Sequence, residues 1–179
     1  MKTSIPFLVA ALLSSAAFAQ TTPAANPAAA ASAPRVAVPP ARGPALALAL
    51  EAANVAIKTC ADRDQKIGVA VLDSAGGVKV LLGADGASAR GVLSGNTKAF
   101  TALQFKAPTS LLQEQVKTDK ALADKVAADP TKFNARAGAV LIKVGDEIIG
   151  AIGVGGARGS DVDEACAVAG LQVVQSRLK

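Results

Sequence analysis

Twice in this chain a pair of short, β-branched runs flanks a glycine-containing turn. The first pair is KIGVAVLD (Lys66–Asp73) and VKVLLG (Val78–Gly83), separated by SAGG. The second is AGAVLIKV (Ala137–Val144) and EIIGAIGV (Glu147–Val154), with its turn at Gly145-Asp146. Runs of this length around such turns predict hairpins, and two strands joined by a short turn run antiparallel. Helical patterns lie before, between and after them. From Ala45 to about Asp62, Leu46, Leu50, Ala53, Ile57 and Cys60 recur at helical spacing, with no internal Gly or Pro. After a loop at Gly83–Gly86, a second helix is predicted through Leu93, Thr97, Phe100 and Leu103, stopped by Pro108. SLLQEQVKTDKALADKVAAD forms another helical stretch, broken near Thr118 and closed by Pro130. A last helix starts at Ser160 or Asp161, with Val162, Ala165, Cys166, Ala169 and Val173 on one face. Hairpins separated by helices predict an α/β (α+β) architecture, an antiparallel sheet with helices packed on it.

The N-terminus has a different character. Lys2 gives a short positive start, Ile5–Leu13 is apolar, and Ala17-Phe18-Ala19 is an A-x-A cleavage pattern before Gln20. Residues 1–19 therefore read as a secretory signal peptide. The alternative is a membrane anchor, but the apolar run is about half the ~20 residues a bilayer span needs. Residues 20–44, rich in Ala and Pro and without periodicity, read as a disordered tether. The remaining residues, 45–179, fit one domain. The expected localisation is periplasmic or secreted.

Composition then excludes several chemistries. The chain has no His, Trp or Tyr, so it cannot build a Ser-His-Asp or Cys-His site. It also lacks the commonest protein ligand for zinc, copper or haem iron. Of its five Phe, Phe7 and Phe18 leave with the signal peptide. The formal net charge is +5, less Lys2, and the basic residues are spread out without interleaved aromatics, which argues against nucleic acid as a partner. The two cysteines, Cys60 and Cys166, either bridge in an oxidising compartment or serve as two separate small core residues.

Gly153, Gly155 and Gly156 precede the last helix and invite comparison with a dinucleotide-binding turn. That fingerprint needs a following strand with an acidic residue near its end, and no strand follows here. Asp161, Asp163 and Glu164 moreover crowd the first helical turn, where they would repel a phosphate and occupy its donors. Asp161 and Glu164 have capping-box spacing. The three acids could alternatively offer oxygen ligands to iron, calcium or magnesium. The glycines themselves read as a strand exit that lets the final helix pack close to the sheet.

KAFTALQFKAPT (Lys98–Thr109) is the other unusual stretch. Lys98, Thr101 and Phe105 lie at i, i+3 and i+7, on one helical face. A face mixing Lys, Thr and Phe can line an amphipathic ligand pocket, or it can be a core Phe beside a snorkelling Lys. Asp73 at the first hairpin turn and Arg90 at a helix start read as a turn former and a solvated charge, though either could line a cleft.

VAVLDSAGGVKVL, DGAS, TKAFTALQFKAPTS and GDEIIGAIGVGGARGSDVDEACAVAGL, in that order, resemble the GlcG/HbpS family of haem-binding and haem-degrading-type proteins, which is related to the PduO C-terminal domain. The resemblance runs from about Ala45 to Leu178. The matching positions are Asp73, Gly76 and Gly77; Lys98, Thr101, Phe105, Pro108 and Thr109; and Gly150, Gly153, Gly156, Asp163, Cys166 and Gly170. It implies a profilin-like antiparallel sheet of about five strands flanked by helices, assembly into a homo-oligomer, and haem or iron binding in some members. Related domains also occur beside cobalamin enzymes and in glycolate operons. Where members carry a GGVPI-like start to the second hairpin, this chain has Ala137-Gly138-Ala139-Val140-Leu141, a departure that touches any ligand contact from that strand. The Cys166 match favours packing over a bridge. The expected role is that of an exported, non-catalytic binding protein for a small haem-like molecule. Arg90 and Lys98 would meet the propionates, Phe100 and Phe105 would form apolar walls, and Thr101, Pro108 and Thr109 would complete the lining. Without His or Tyr, iron ligation would be weak or shared within an oligomer. A haem-degrading or small-metabolite enzyme and a ligand-free accessory subunit are the alternatives.

Overall fold

The computed structural model describes residues 40–179; the signal-peptide reading and most of the tether reading fall on residues outside that range. Helix α1 spans Leu46–Ala61, strands β1 and β2 span Gly68–Asp73 and Val78–Gly83, and α2 spans Ala89–Phe105. Two short helices follow, α3 (Thr109–Gln115) and α4 (Lys120–Ala127), divided at residues 116–119. Then come β3 (Ala139–Val144), β4 (Glu147–Gly155), α5 (Ser160–Gln172) and a closing 3-10 turn at Gln175–Arg177.

Both hairpins join into one antiparallel sheet of order β2-β1-β4-β3. Four strands form it, against the five or so that the family resemblance implied; the two hairpins are the only strand-forming runs among the described residues. The central pair β1 and β4 lets each register position be assigned to a face. Val69 lies opposite Val154 and Val71 opposite Ile152, whereas Gly68, Ala70 and Leu72 lie opposite Gly155, Gly153 and Ala151. Alternation across the pleat sends the first set to one side and the second to the other.

The two sides are built differently. On the valine and isoleucine side, α1 and α5 cover the sheet, and Ala49, Ala53, Ala56, Cys60, Cys166 and Ala167 pack beneath them. Here Cys60 and Cys166 form a disulfide, with Cα atoms 5.8 Å apart and both residues fully buried. The pair is thus bridged, and the packing-only alternative does not hold.

The other side is thin. Gly153, Gly155 and Gly68 lie under α2, where a methyl at Gly153 would sit 2.3 Å from the Gly95 carbonyl and one at Gly155 2.6 Å from that of Gly91. The glycines of the last strand therefore admit α2, and not the final helix as the sequence suggested. Helix α5 has its own close contact elsewhere, where Gly170 meets the Ala52 carbonyl of α1.

Two further local readings change. Residues assigned to the tether are anchored at their end: Arg42 N–H donates to Ser74 Oγ at 3.0 Å, Ser74 N–H returns to the Arg42 carbonyl, and the Arg42 guanidinium pairs with Glu147. The capping box at α5 does not form. Gly159 is the N-cap without a side-chain bond, because the helix already begins at Ser160, ahead of Asp161, and Glu164 is engaged by Ser110 and Gly138.

Candidate functional site

The polar residues of α2 turn inward. Lys98 is 2 % exposed, and its Nζ donates to Asp163 Oδ2 at 2.7 Å and to the Val154 carbonyl at 3.2 Å. Asp163 is 3 % exposed, and its other oxygen accepts from Ala157 N–H at 2.9 Å. A carboxylate thus takes an amide of the glycine turn that a phosphate would need. Burial pushes the Lys98 ammonium below the usual lysine range, against the hydrogen bond and charge of Asp163. Burial likewise pushes the Asp163 carboxyl upward, against the same bond seen from the other side. Both shifts agree that desolvation is the larger effect.

The hydroxyls fasten neighbouring segments. Thr101 Oγ1 donates to the Thr97 carbonyl at 2.7 Å and accepts from Asn134 N–H at 2.8 Å. Thr109, fully buried at the start of α3, accepts from Ala139 N–H at 2.8 Å and so holds the start of β3. Pro108 is the N-cap of α3. Glu164 accepts from Ser110 N–H, Ser110 Oγ and Gly138 N–H.

This arrangement separates the residues expected to line one pocket. Lys98, Thr101 and Thr109 are sealed in the interior and leave no polar group open to a ligand. Arg90 is exposed near the start of α2, ten residues before Phe100 and so about 15 Å along the axis. The three acids also part company: Asp161 is exposed, Asp163 pairs with Lys98, and Glu164 binds Ser110 and Gly138. No group of three His, Cys, Asp or Glu that could hold a metal occurs among the described residues. The physical reason is that the carboxylates satisfy buried donors of three different segments. Asp73 stays in the first hairpin turn, where its Oδ1 accepts from Ala75 and Gly77 N–H.

What remains at the surface is aromatic. Phe100 and Phe105, both half-buried, converge on Phe133, with ring centroids 6.1 and 5.5 Å away. Lys132 Nζ stands 5.4 Å from the Phe100 centroid and 5.6 Å from that of Phe133, and Lys125 Nζ lies 5.1 Å from that of Phe105. The loop is set by Asp129, which accepts from Thr131 Oγ1 at 2.6 Å and Lys132 N–H at 3.1 Å, while its carbonyl accepts from Phe133 N–H. The Thr131 hydroxyl holds the Asp129 carboxyl below its ordinary range. Sequence reasoning passed over Phe133, Lys125 and Lys132. The available signal was that Phe133 is one of only five aromatic residues in the chain and directly follows a lysine.

An aromatic cluster of tilted and edge-on rings bordered by two ammonium groups suits a molecule with an apolar face and peripheral anions. The donor set does not suit ordinary axial ligation of iron. The chain has no His or Tyr, its single Met is Met1, and both cysteines are bridged.

A family model described as haem degrading protein HbpS-like matches residues 45–172. A double mutant of HbpS from Streptomyces reticuli superposes with a TM-score of 0.68 at 33% identity, over 83% of this chain and 99% of that one. The Klebsiella pneumoniae protein ORFY gives 0.69 at 20% identity, over 85% and 100%. A PduOC:heme complex gives 0.65 at 18% identity, over 72% and 92%. The last two likenesses concern the fold alone. A search of curated proteins returned no match.

Proposed function

The chain belongs to the HbpS-like family of haem-degrading-type proteins, and from that premise we propose that it is an exported, non-catalytic binding protein for haem or a related tetrapyrrole. The observation that carries the reading is the half-buried trio Phe100, Phe105 and Phe133 with Lys125 and Lys132 beside the rings. The aromatic edges and faces would hold the macrocycle by apolar contact, and the two ammonium groups would pair with its propionates. A bound haem would bring the redox chemistry of its iron. The chain's part is to desolvate the ring and hold its carboxylates, since its usual iron-ligating side chains are absent or bridged. The heme in the PduOC complex belongs to a protein of the same fold and supports the choice of ligand class. Export rests on the leader pattern in residues 1–19, and the homo-oligomer on the family resemblance.

Titrating the mature protein with hemin tests this. The expected result is a shifted Soret band that Phe133→Ala combined with Lys132→Ala weakens at least tenfold, as loss of a ring contact and a charge pair predicts. An unshifted band, or full binding by the double variant, would overturn it. Bleaching faster than free hemin under reductant and oxygen would refute the non-catalytic part.

A further inference from the structure

A second opening lies at the C-terminal end of α2, beside the aromatic patch and lined by other residues. Ser74 of the first hairpin turn, Leu103 and Lys106 of α2, and Asp146 and Ile148 of the second hairpin line a cleft of about 430 Å³. Leu103 and Ile148, both of the cluster packed under α2, give it an apolar part. Its rim carries one ammonium, one carboxylate and one hydroxyl. Ser74 Oγ accepts the Arg42 N–H, which leaves the hydroxyl proton free to donate.

Lys106 has an unusual backbone. It caps α2 in the left-handed conformation, φ 53 and ψ 35, and its N–H bonds back to the Ala102 and Leu103 carbonyls. Glycine is the ordinary residue there, because a Cβ in this region costs about 1 kcal/mol. A lysine in a glycine position sets an ammonium at the mouth of the cleft that the helix cap itself does not need. Asp146 follows Gly145 in the opposite turn and places a carboxylate on the same rim.

We propose that this cleft binds a free apolar α-amino acid. The ligand carboxylate would take the Lys106 ammonium and the Ser74 hydroxyl, the ligand ammonium would take Asp146, and the aliphatic side chain would lie on Leu103 and Ile148. A simple anion would meet Asp146 and a simple cation would meet Lys106, so opposite charges on one small amphiphile fit best. The volume is enough for a leucine-sized molecule. The cleft borders the aromatic patch, since Phe100 packs on the same cluster as Leu103 and Ile148, but the two share no lining residue.

Calorimetric titration of the purified protein with L-leucine, hexanoate and hexylamine tests the assignment. L-Leucine is expected to bind, and each single-charge analogue at least tenfold more weakly. Lys106→Gly adopts the capping conformation without strain, so it keeps the fold. It should nevertheless weaken L-leucine about tenfold or more, with the hemin titration unchanged. No heat with L-leucine, equal binding of either analogue, or unchanged affinity in Lys106→Gly would overturn the proposal, whatever hemin does.

Discussion

Replacing Lys98 by methionine isolates the buried ion pair and shows what it contributes. The Lys98 and Asp163 side chains are 3 and 4 % exposed and their charged atoms 2.7 Å apart. With an effective dielectric near 20, Coulomb attraction at that distance is about 6 kcal/mol. Removing two ions from water costs several kcal/mol each, so the pair is close to break-even as a unit. Removing one partner is different, because it strands the other charge in the interior at a cost of about 3–5 kcal/mol. Lys98→Met should therefore lose about that much at pH 7. Lys98→Met combined with Asp163→Asn should return close to the parent, since asparagine still accepts from Ala157 N–H. The pH dependence has a definite sign. Burial already raises the Asp163 pKa above its ordinary value of 3.8, and loss of Lys98 removes the bond that opposes the rise. The folded variant then holds a proton that the unfolded chain releases. Its stability is greatest below about pH 4 and falls as pH rises through the folded pKa, by up to about 1.4 kcal/mol per pH unit. Urea unfolding followed by far-ultraviolet circular dichroism measures it, since the chain has no Trp or Tyr to report by fluorescence. A loss under about 1 kcal/mol at pH 7, or a loss that does not shrink in acid, would refute the reasoning.

Other perturbations test separate parts of the fold. Cys60→Ala with Cys166→Ala opens a link between residues 106 apart and should cost about 2–5 kcal/mol in urea unfolding, with the hemin titration unchanged. Thr109→Val leaves the buried Ala139 N–H without its acceptor and should cost about 1–3 kcal/mol by the same measurement. Gly153→Ala puts a methyl 2.3 Å from the Gly95 carbonyl, between two backbones, and should cost about 1–3 kcal/mol or more. Gly145→Ala meets no atom within 4 Å and pays only for its positive φ of 58°, so it should cost about 1–2 kcal/mol and leave the hemin titration unchanged.

The elements of the fold were legible because each rests on a local signal. Glycine turns between β-branched runs marked both hairpins, and Pro108 and the weak stretch at Thr118 marked the helix breaks. The sheet order was not written locally, because only the pairing of β1 with β4 brings Gly68 opposite Gly155. The candidate site was half legible for the same reason. Helical spacing put Lys98, Thr101 and Phe105 on one face, but spacing cannot say what covers that face. The covering comes from residues 134–139 and from α5, distant in sequence, which turn Lys98, Thr101 and Thr109 into internal fasteners. Phe133 was overlooked because it sits outside any periodic element, in a loop whose shape Asp129 fixes. The acids of α5 were misread as a cap or a metal cluster because their partners, Lys98, Ser110 and Gly138, are 26 to 65 residues away.

Helix α2 explains why structure and surface chemistry are coupled here. Its Gly91, Gly95 and Ala99 meet Gly68, Gly153 and Gly155 of the sheet, so the helix axis comes closer there than larger residues would allow. That approach is what lets Lys98 reach the Val154 carbonyl of β4 and Asp163 beyond it. Phe100 and Phe105 cannot enter so thin an interface, and successive steps of about 100° along the helix carry them to its flanks, where Phe133 meets both. The half-exposed aromatic patch is thus a geometric consequence of the glycines in GAIGVGG, which exclude bulk from one side of the helix and leave it on the other. A chain with valine at those strand positions would bury more apolar area beneath α2, yet it would lift the helix, part Lys98 from Asp163 and shift the rings away from Phe133. The disulfide-braced face carries the large aliphatic core, and that division of labour leaves the opposite face free to be thin.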